Sequence, residues 1–411
     1  MQINIARLNA ELEQLATFSD APAPAVTRVL WTKQDMNARA WLKNLAQLAG
    51  LQHREDALGN TFMRLEGTNP QLPAIGTGSH NDAIPFSGMY DGTVGVLGGL
   101  EALRAIKESG LAHSRSLEVL MFTSEEPTRF GLGCLGSRVM SGAIDLEKVR
   151  ALQDQNGMTL ESARTAVGYT APLESVRLPP NYYAGFVELH IEQAPMLEQQ
   201  ALQIGVVSAI AAPASFFVHL TGEGGHAGAR LMPGRRDALL AAAEIALAVE
   251  QAALESGAID TVGTTGICEI HPSAINSIPS RARIGIDIRD TDATRRDKAV
   301  AFVLESVQKV SQKRHVEARV EMINADPPAQ SDPQILAAIR SAVAELGYSS
   351  LEMVSRAYHD SLFMARITPM AMIFIPCRGG VSHRPDEYAA PADIARGVEV
   401  LARTMLDLAN T

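Results

Sequence analysis

Apolar runs along this chain repeatedly stop at histidine or carboxylate side chains. LPAIGTGSHND carries His80 and Asp82, LEVLMFTSEE carries Glu125 and Glu126, and YYAGFVELHIEQ carries His190, Glu192 and Gln193. A further run, MAMIFIP, leads into GGVSHRPDEY with His383. Between the first two runs, YDGTVGVLGGLEALRAIKESG opens on Asp91 and a glycine and becomes a helical pattern closed by Gly110. Short continuous apolar runs separated by helical patterns read as strands buried on both faces. The strand–helix–strand order therefore predicts an α/β fold with a mostly parallel sheet. In such sheets ligands bind beyond the carboxyl ends of the strands, where these polar residues stand.

The rest of the chain divides around that pattern. MQINIARLNAELEQLATFSD reads as an amphipathic helix without the cationic and apolar order of a signal peptide. WLKNLAQLAGL has helical spacing, TFMRLEG reads as a strand, and residues 145–180 read as a polar helical excursion. From 212 to 327 the pattern is strand, helix, strand, helix, strand, ending in HVEARVEMI. This block predicts a smaller α+β two-layer domain inserted into a larger one. Residues 1–211 and 328–411 then form a discontinuous catalytic domain, closed by the helix PADIARGVEVLARTMLDLA.

Composition narrows the function. With 46% hydrophobic and 20% charged residues the chain is an ordinary globular one. A net charge of -10 opposes binding to a phosphate backbone, so nucleic acid is not an expected partner. Three cysteines without a CxxC argue against a disulfide framework and fit a reducing compartment. The most apolar long stretch, residues 237–254, is interrupted by Glu244 and Glu250 and is too short to span a bilayer. A soluble cytoplasmic protein without a membrane partner is expected. GEGGHAG does not satisfy G-x-G-x-x-G, which disfavours a dinucleotide site.

Three histidines and several carboxylates at strand ends suit a divalent transition metal such as zinc or manganese. One aspartate can bridge two ions with its two oxygens, and ions about 3.5–4 Å apart can polarise a carbonyl and sharpen a water nucleophile. The pair Glu125–Glu126 directly follows the apolar VLMFT, where uncompensated carboxylates would be costly.

GSHNDAIPFSGMYDGTVGVLGGLEAL, FTSEEPTRFGLGCLGSR and ELHIEQAPMLE resemble the metal-binding motifs of the hydantoinase/carbamoylase-type dinuclear-metal amidohydrolases. These belong to the wider aminoacylase-like metallopeptidase family, and the resemblance runs over nearly the whole chain. It implies two divalent ions per subunit, Mn2+ or Zn2+. His80 and His190 would flank one and Glu126 and His383 the other, with Asp91 bridging. Asp82 would orient His80, and Glu125 would act as general base. His226, in TGEGGHAGAR, would stabilise the oxyanion, often across a dimer interface. Asn276 and Arg289 would hold a substrate carboxylate, and Gln193 would contact the ureido end. The inserted domain would serve as lid and dimerisation domain of a homodimer. Closure about hinges near Ala211–Pro213 and Asp326–Gln330 would assemble the site.

Where carbamoylases and allantoate enzymes tend to have a string like SGAGHD, this chain has SRAYHD, with Tyr358 and His359 as further substrate-binding residues. That version resembles the ureidoglycolate-hydrolysing branch. A bulky Tyr358 would shorten the pocket and supply a phenolic donor, suiting a small anionic ureido substrate with a hydroxyl. The implied reaction is hydrolysis of (S)-ureidoglycolate to glyoxylate, ammonia and carbon dioxide. Allantoate or an N-carbamoyl-L-amino acid on the same site is the near alternative, and a non-catalytic metal-binding protein the remote one.

Overall fold

A computed structural model describes residues Met1–Thr411. The chain divides into two compact units. The first comprises Met1–Ser208, Gln330–Ser355 and His359–Thr411, and the second Ala209–Ala329 with Arg356–Tyr358. The expected hinge at Ala211–Pro213 straddles the start of the strand Ala212–Thr221, where Ala212 pairs with Asp290. The crossing lies earlier, at Ser208–Ala209, and a further pair of crossings brackets 356–358.

The first unit is built on a mixed nine-stranded sheet. Its centre is four parallel strands in the order Met370–Ile375, Tyr183–Ile191, Ala74–His80, Leu117–Phe122. Three of these are buried along their whole length, and Tyr183–Ile191 nearly so. That is why they read as unbroken apolar runs rather than alternating ones. Antiparallel strands flank them, Ile204–Ile210 on one side and Thr61–Leu65 with Gln52–Glu55 on the other. Gly78 has φ +147, and a Cβ there would lie 1.8 Å from the Leu120 carbonyl oxygen, so only glycine fits this strand contact.

Helix Thr93–Ser109 is buried from Thr93 to Ile106 and ends on Gly110 in the left-handed conformation. It packs with helices Ile5–Ala16 and Pro391–Asn410 into the main core, with Leu97, Leu100, Val398 and Leu401 fully buried. Each such side chain contributes about 1.5–3 kcal/mol relative to exposure.

The second unit is a four-stranded antiparallel sheet in the order Val262–His271, Arg281–Asp290, Ala212–Thr221, Glu317–Ala325. Helices Ala238–Leu254 and Ala293–Arg314 bury one face of it. Phe216, Val218 and Leu220 point into that core, as do Ile284, Ile286 and Ile288, whereas Arg283, Asp287 and Arg289 alternate to the other face. The sequence reading missed the edge strand Val262–His271. Its sequence, VGTTGICEIH, has glycines at 263 and 266, which weaken a strand and interrupt its hydrophobic pattern.

Candidate active site

All four central strands run the same way, so their carboxyl ends meet at one edge. His80 is the last residue of its strand and His190 the penultimate residue of the next. Glu125 and Glu126 follow Leu117–Phe122 in a loop closed by backbone bonds from Cys134, Leu135 and Gly136 to Glu125, Ser124 and Thr123. His383 follows Met370–Ile375. Ser124, Gln193 and His383 all adopt φ near +57, at 57, 56 and 59, a conformation non-glycine residues hold only where surroundings impose it.

Asp91 sits at the centre. One carboxylate oxygen is 3.4 Å from His80 Nε2 and 3.2 Å from His190 Nε2. The other is 3.4 Å from His383 Nε2, which is also 3.2 Å from Glu126 Oε1. Two potential ligand groups result, His80–Asp91–His190 and Asp91–Glu126–His383, sharing Asp91. Gln193 Nε2 and Ser382 Oγ donate to the second oxygen at 2.7 and 2.6 Å.

The histidine tautomers follow from their other contacts. His80 Nδ1 lies 3.0 Å from the Asp82 carbonyl, and His190 Nδ1 lies 2.9 Å from the Ile191 carbonyl. A carbonyl accepts only, so Nδ1 carries a proton, and in the neutral tautomer that a metal ligand needs, Nε2 presents its lone pair towards Asp91. Lone pairs opposed to a carboxylate at this range repel unless positive charge lies between them. The shifts report the same demand. Burial lowers the basicity of His80, but Asp91, Glu125 and Asp82 outweigh it and hold it well above its ordinary value. Asp91 and Glu126 push His383 up to about 10. Burial raises Asp91, yet the three histidines bring it well below the usual carboxylate range. Nitrogen and carboxylate donors in such a set fit divalent zinc or manganese.

Glu125 stands beside the cluster, with one oxygen 3.8 Å from His80 Nε2 and the other 3.5 Å from the Cys134 thiol. Burial raises its pKa well above normal; His80 opposes this, and Glu126, Asp360 and Asp91 add to it. Bound cations would reverse that direction by favouring the carboxylate.

Asp82 departs from its expected part. Its carboxylate is 3.8 Å from His80 Nδ1 and instead accepts the backbone N–H groups of Glu125 and Glu126 at 3.3 and 3.1 Å. Its backbone carbonyl orients the histidine, and its side chain ties two strand ends together. Gly92, at φ +68, lets the helix start approach the cluster, since a Cβ there would lie 2.5 Å from the His80 ring.

His359, Glu192 and Gln193 flank this cluster with contacts of their own. His359 is buried with Nε2 2.9 Å from Ser355 Oγ, and its ring is 4.6 Å from that of His190. Burial and the neighbouring His190 hold it neutral, so it backs His190. Glu192 accepts the N–H groups of Met196 and Leu197 and starts a short helix. Gln193 Oε1 is buried without a donor in the protein.

His226, Asn276, Arg289 and Tyr358 belong to the second unit. There the short pair Gly225–His226 and Ser277–Ile278, with Ala227 N–H donating to the Asn276 carbonyl, brings His226 and Asn276 together. His226 Nδ1 accepts from the N–H groups of Gly228 and Ala229, so its proton is on the exposed Nε2. Arg289 is held by Asp287 and the Arg356 carbonyl. The Tyr358 hydroxyl donates to Asp326 at 2.7 Å and accepts from Asn324 at 3.1 Å, so its phenol is already engaged.

Sequence reasoning missed Glu387 and Ser382. Glu387 accepts the N–H groups of Tyr90 and Asp91, and its other oxygen lies 2.9 Å from Ser382 Oγ, whose proton goes to Asp91. Both lie in GGVSHRPDEY, the segment read only for its histidine.

The profile of peptidase family M20/M25/M40 matches residues 86–407. A ureidoglycolate hydrolase of Arabidopsis thaliana is 53% identical over 99% of this chain and 87% of its own length. An N-carbamoyl-L-amino-acid amidohydrolase of Pseudomonas sp. (strain NS671) is 36% identical over 97% of each chain. The crystal structure of AtUAH in complex with glyoxylate is 52% identical with a TM-score of 0.90, covering 100% of this chain and 98% of that one. A structure of AtUAH with (S)-hydroxyglycine matches equally well.

Proposed function

The chain belongs to peptidase family M20/M25/M40, and from that premise we propose that it is a metal-dependent amidohydrolase cleaving the ureido C–N bond of (S)-ureidoglycolate. The reaction class rests on one observation: the two oxygens of Asp91 face two separate ligand groups. The substrate rests on the 53% identical ureidoglycolate hydrolase and is supported by the (S)-hydroxyglycine and glyoxylate found with a 52% identical protein.

In this reading His80, Asp91 and His190 hold one divalent cation, and Asp91, Glu126 and His383 a second, zinc or manganese. When bound, these ions polarise the ureido carbonyl and make water a better nucleophile at neutral pH. Glu125 takes a proton from the attacking water and passes it to the leaving nitrogen. Ammonia and carbon dioxide leave, and the remaining hydroxyglycine breaks down to glyoxylate and a second ammonia. Gln193 Oε1, which lacks a donor, accepts from the ureido NH2 group. The His226 Nε2–H is a donor suited to an oxyanion, and Arg289 with Asn276 receives the substrate carboxylate.

The spacing of those second-unit groups supports a homodimer. Arg289 lies eight residues beyond Arg281 along one strand, roughly 26 Å at ~3.3 Å per residue. The His226–Ser277 pair, in a separate two-stranded sheet, follows beyond Arg281 on the side away from Arg289, where Gly222 N–H donates to the Ser280 carbonyl. That separation within one chain is long for one small substrate, which favours supply of the two groups by two chains. Leu240, Leu247 and Leu254, exposed at seven-residue spacing on one helix, offer an apolar stripe to a second copy. Co-expressing His226→Ala with Arg289→Ala is expected to restore about a quarter of wild-type activity, from one intact site per mixed dimer. Restoration absent from a verified mixed dimer would place both groups in one chain.

The function is tested by stripping the protein of metal, restoring manganese or zinc, and following ammonia and glyoxylate. Ureidoglycolate is expected to exceed allantoate and N-carbamoyl amino acids in kcat/KM by roughly a hundredfold or more. Preference for another ureido compound would overturn the substrate assignment, and inactivity with either metal the reaction itself.

A further inference from the structure

Behind the ligand cluster lie three buried charged side chains that the chemistry above does not use. Arg28 is 1% exposed. Its Nε donates to the Asn81 carbonyl at 2.6 Å, and its Nη1 to the Leu15 and Phe18 carbonyls at 2.9 and 3.0 Å. Asn81 is the residue between His80 and Asp82, so this guanidinium grips the peptide that carries both. Asp35 and Arg39, one turn apart on helix Lys33–Leu48, are fully buried and paired at 2.9 Å.

That pair reaches both strand ends. Asp35 accepts from Asn81 Nδ2 at 3.4 Å and from the Trp31 N–H at 2.8 Å. Arg39 Nη1 donates to Thr123 Oγ1 at 3.2 Å and to the Gly59 carbonyl at 2.8 Å. Thr123 opens the loop that presents Glu125 and Glu126. One helical turn therefore spans from the His80–Asp82 segment to the Thr123–Glu126 loop, and the Asp82 carboxylate closes the opposite side through two N–H groups.

Stability alone is a poor reason for this arrangement. Buried ion pairs are often replaceable by apolar side chains without loss. Arg28 makes no hydrogen bond to a carboxylate, and Asp35 and Asp82 act on it only through space. What all three share is a direct bond to a segment bearing a ligand or to its neighbour. Outer partners of this kind orient metal ligands and tune affinity.

We propose that Arg28, Asp35 and Arg39 are positioning residues that set the separation between the His80–Asp82 segment and the Thr123–Glu126 loop, and through it the spacing of the metal-binding groups. The proposal rests on the reading that those groups hold divalent cations. Its test therefore begins with the wild type: metal-free protein is titrated with Mn2+ and with Zn2+ against a chelating dye, and kcat and KM are measured separately. Wild type that takes up neither Mn2+ nor Zn2+ would sink the functional reading, and this inference with it.

The variant Asp35→Asn with Arg39→Met removes both members of the ion pair together, so neither is left buried without its mate. Its Mn2+ affinity is expected to fall tenfold or more, with a lower kcat and a KM within about twofold at saturating metal. A folded double variant that binds Mn2+ as tightly as wild type would overturn the proposal alone. If the double variant does not fold, Thr123→Val decides, since it deletes only the hydroxyl that Arg39 reaches. A loss of Mn2+ affinity of about threefold or more is then expected, and unchanged affinity with unchanged kcat would overturn the proposal.

Discussion

Glu125→Gln is expected to lower kcat on ureidoglycolate by roughly 10³-fold or more while divalent metal stays bound. The glutamine keeps the shape of the side chain and its approach to Cys134 Sγ, 3.5 Å away. It cannot accept a proton at neutral pH. Metal retention follows because Glu125 belongs to neither of the ligand groups that share Asp91. The informative measurement is kcat with metal content on the same sample. Activity within tenfold of wild type at full metal content would remove Glu125 from proton transfer. Loss of metal together with activity would make it a ligand instead.

Asp91→Asn should be still more damaging, taking ureidoglycolate hydrolysis to the uncatalysed background. Both oxygens of Asp91 are in use, one towards His80 and His190 and the other towards His383. An asparagine loses the charge and turns an N–H2 towards histidine nitrogens or towards the donors Gln193 Nε2 and Ser382 Oγ. Either orientation weakens both ligand groups at once. Elemental analysis after gel filtration is expected to find close to no metal per chain. A variant that still carried two ions would show that Asp91 does not bridge, and a variant that lost one ion would assign it to that site alone. Circular dichroism separates these outcomes from unfolding.

The four central strands were legible because burial on both faces leaves unbroken apolar runs such as LEVLMF and MAMIFI. Their terminal residues were legible for the same reason, since a histidine or carboxylate pair ending such a run stands out against it. Val262–His271 was not legible, because Gly263 and Gly266 interrupt its pattern, whereas HVEARVEMI, whose strand is equally exposed, keeps an apolar–polar alternation. Glu387 was passed over although its motif was noticed. Its role depends on the N–H groups of Tyr90 and Asp91, nearly 300 positions earlier, and no local pattern reports such a partner.

Residue type and order alone therefore determined the α/β class, the inserted second block, and a histidine–carboxylate set at strand ends, because these follow from local hydrophobic periodicity. The tertiary structure decided the rest. It placed Asp91 between two ligand groups, turned His80 and His190 so that Nε2 faces it, spent the Asp82 carboxylate on two backbone amides and closed the Tyr358 hydroxyl onto Asp326. Each of these is a hydrogen bond or close approach whose geometry exists only once the strands are paired.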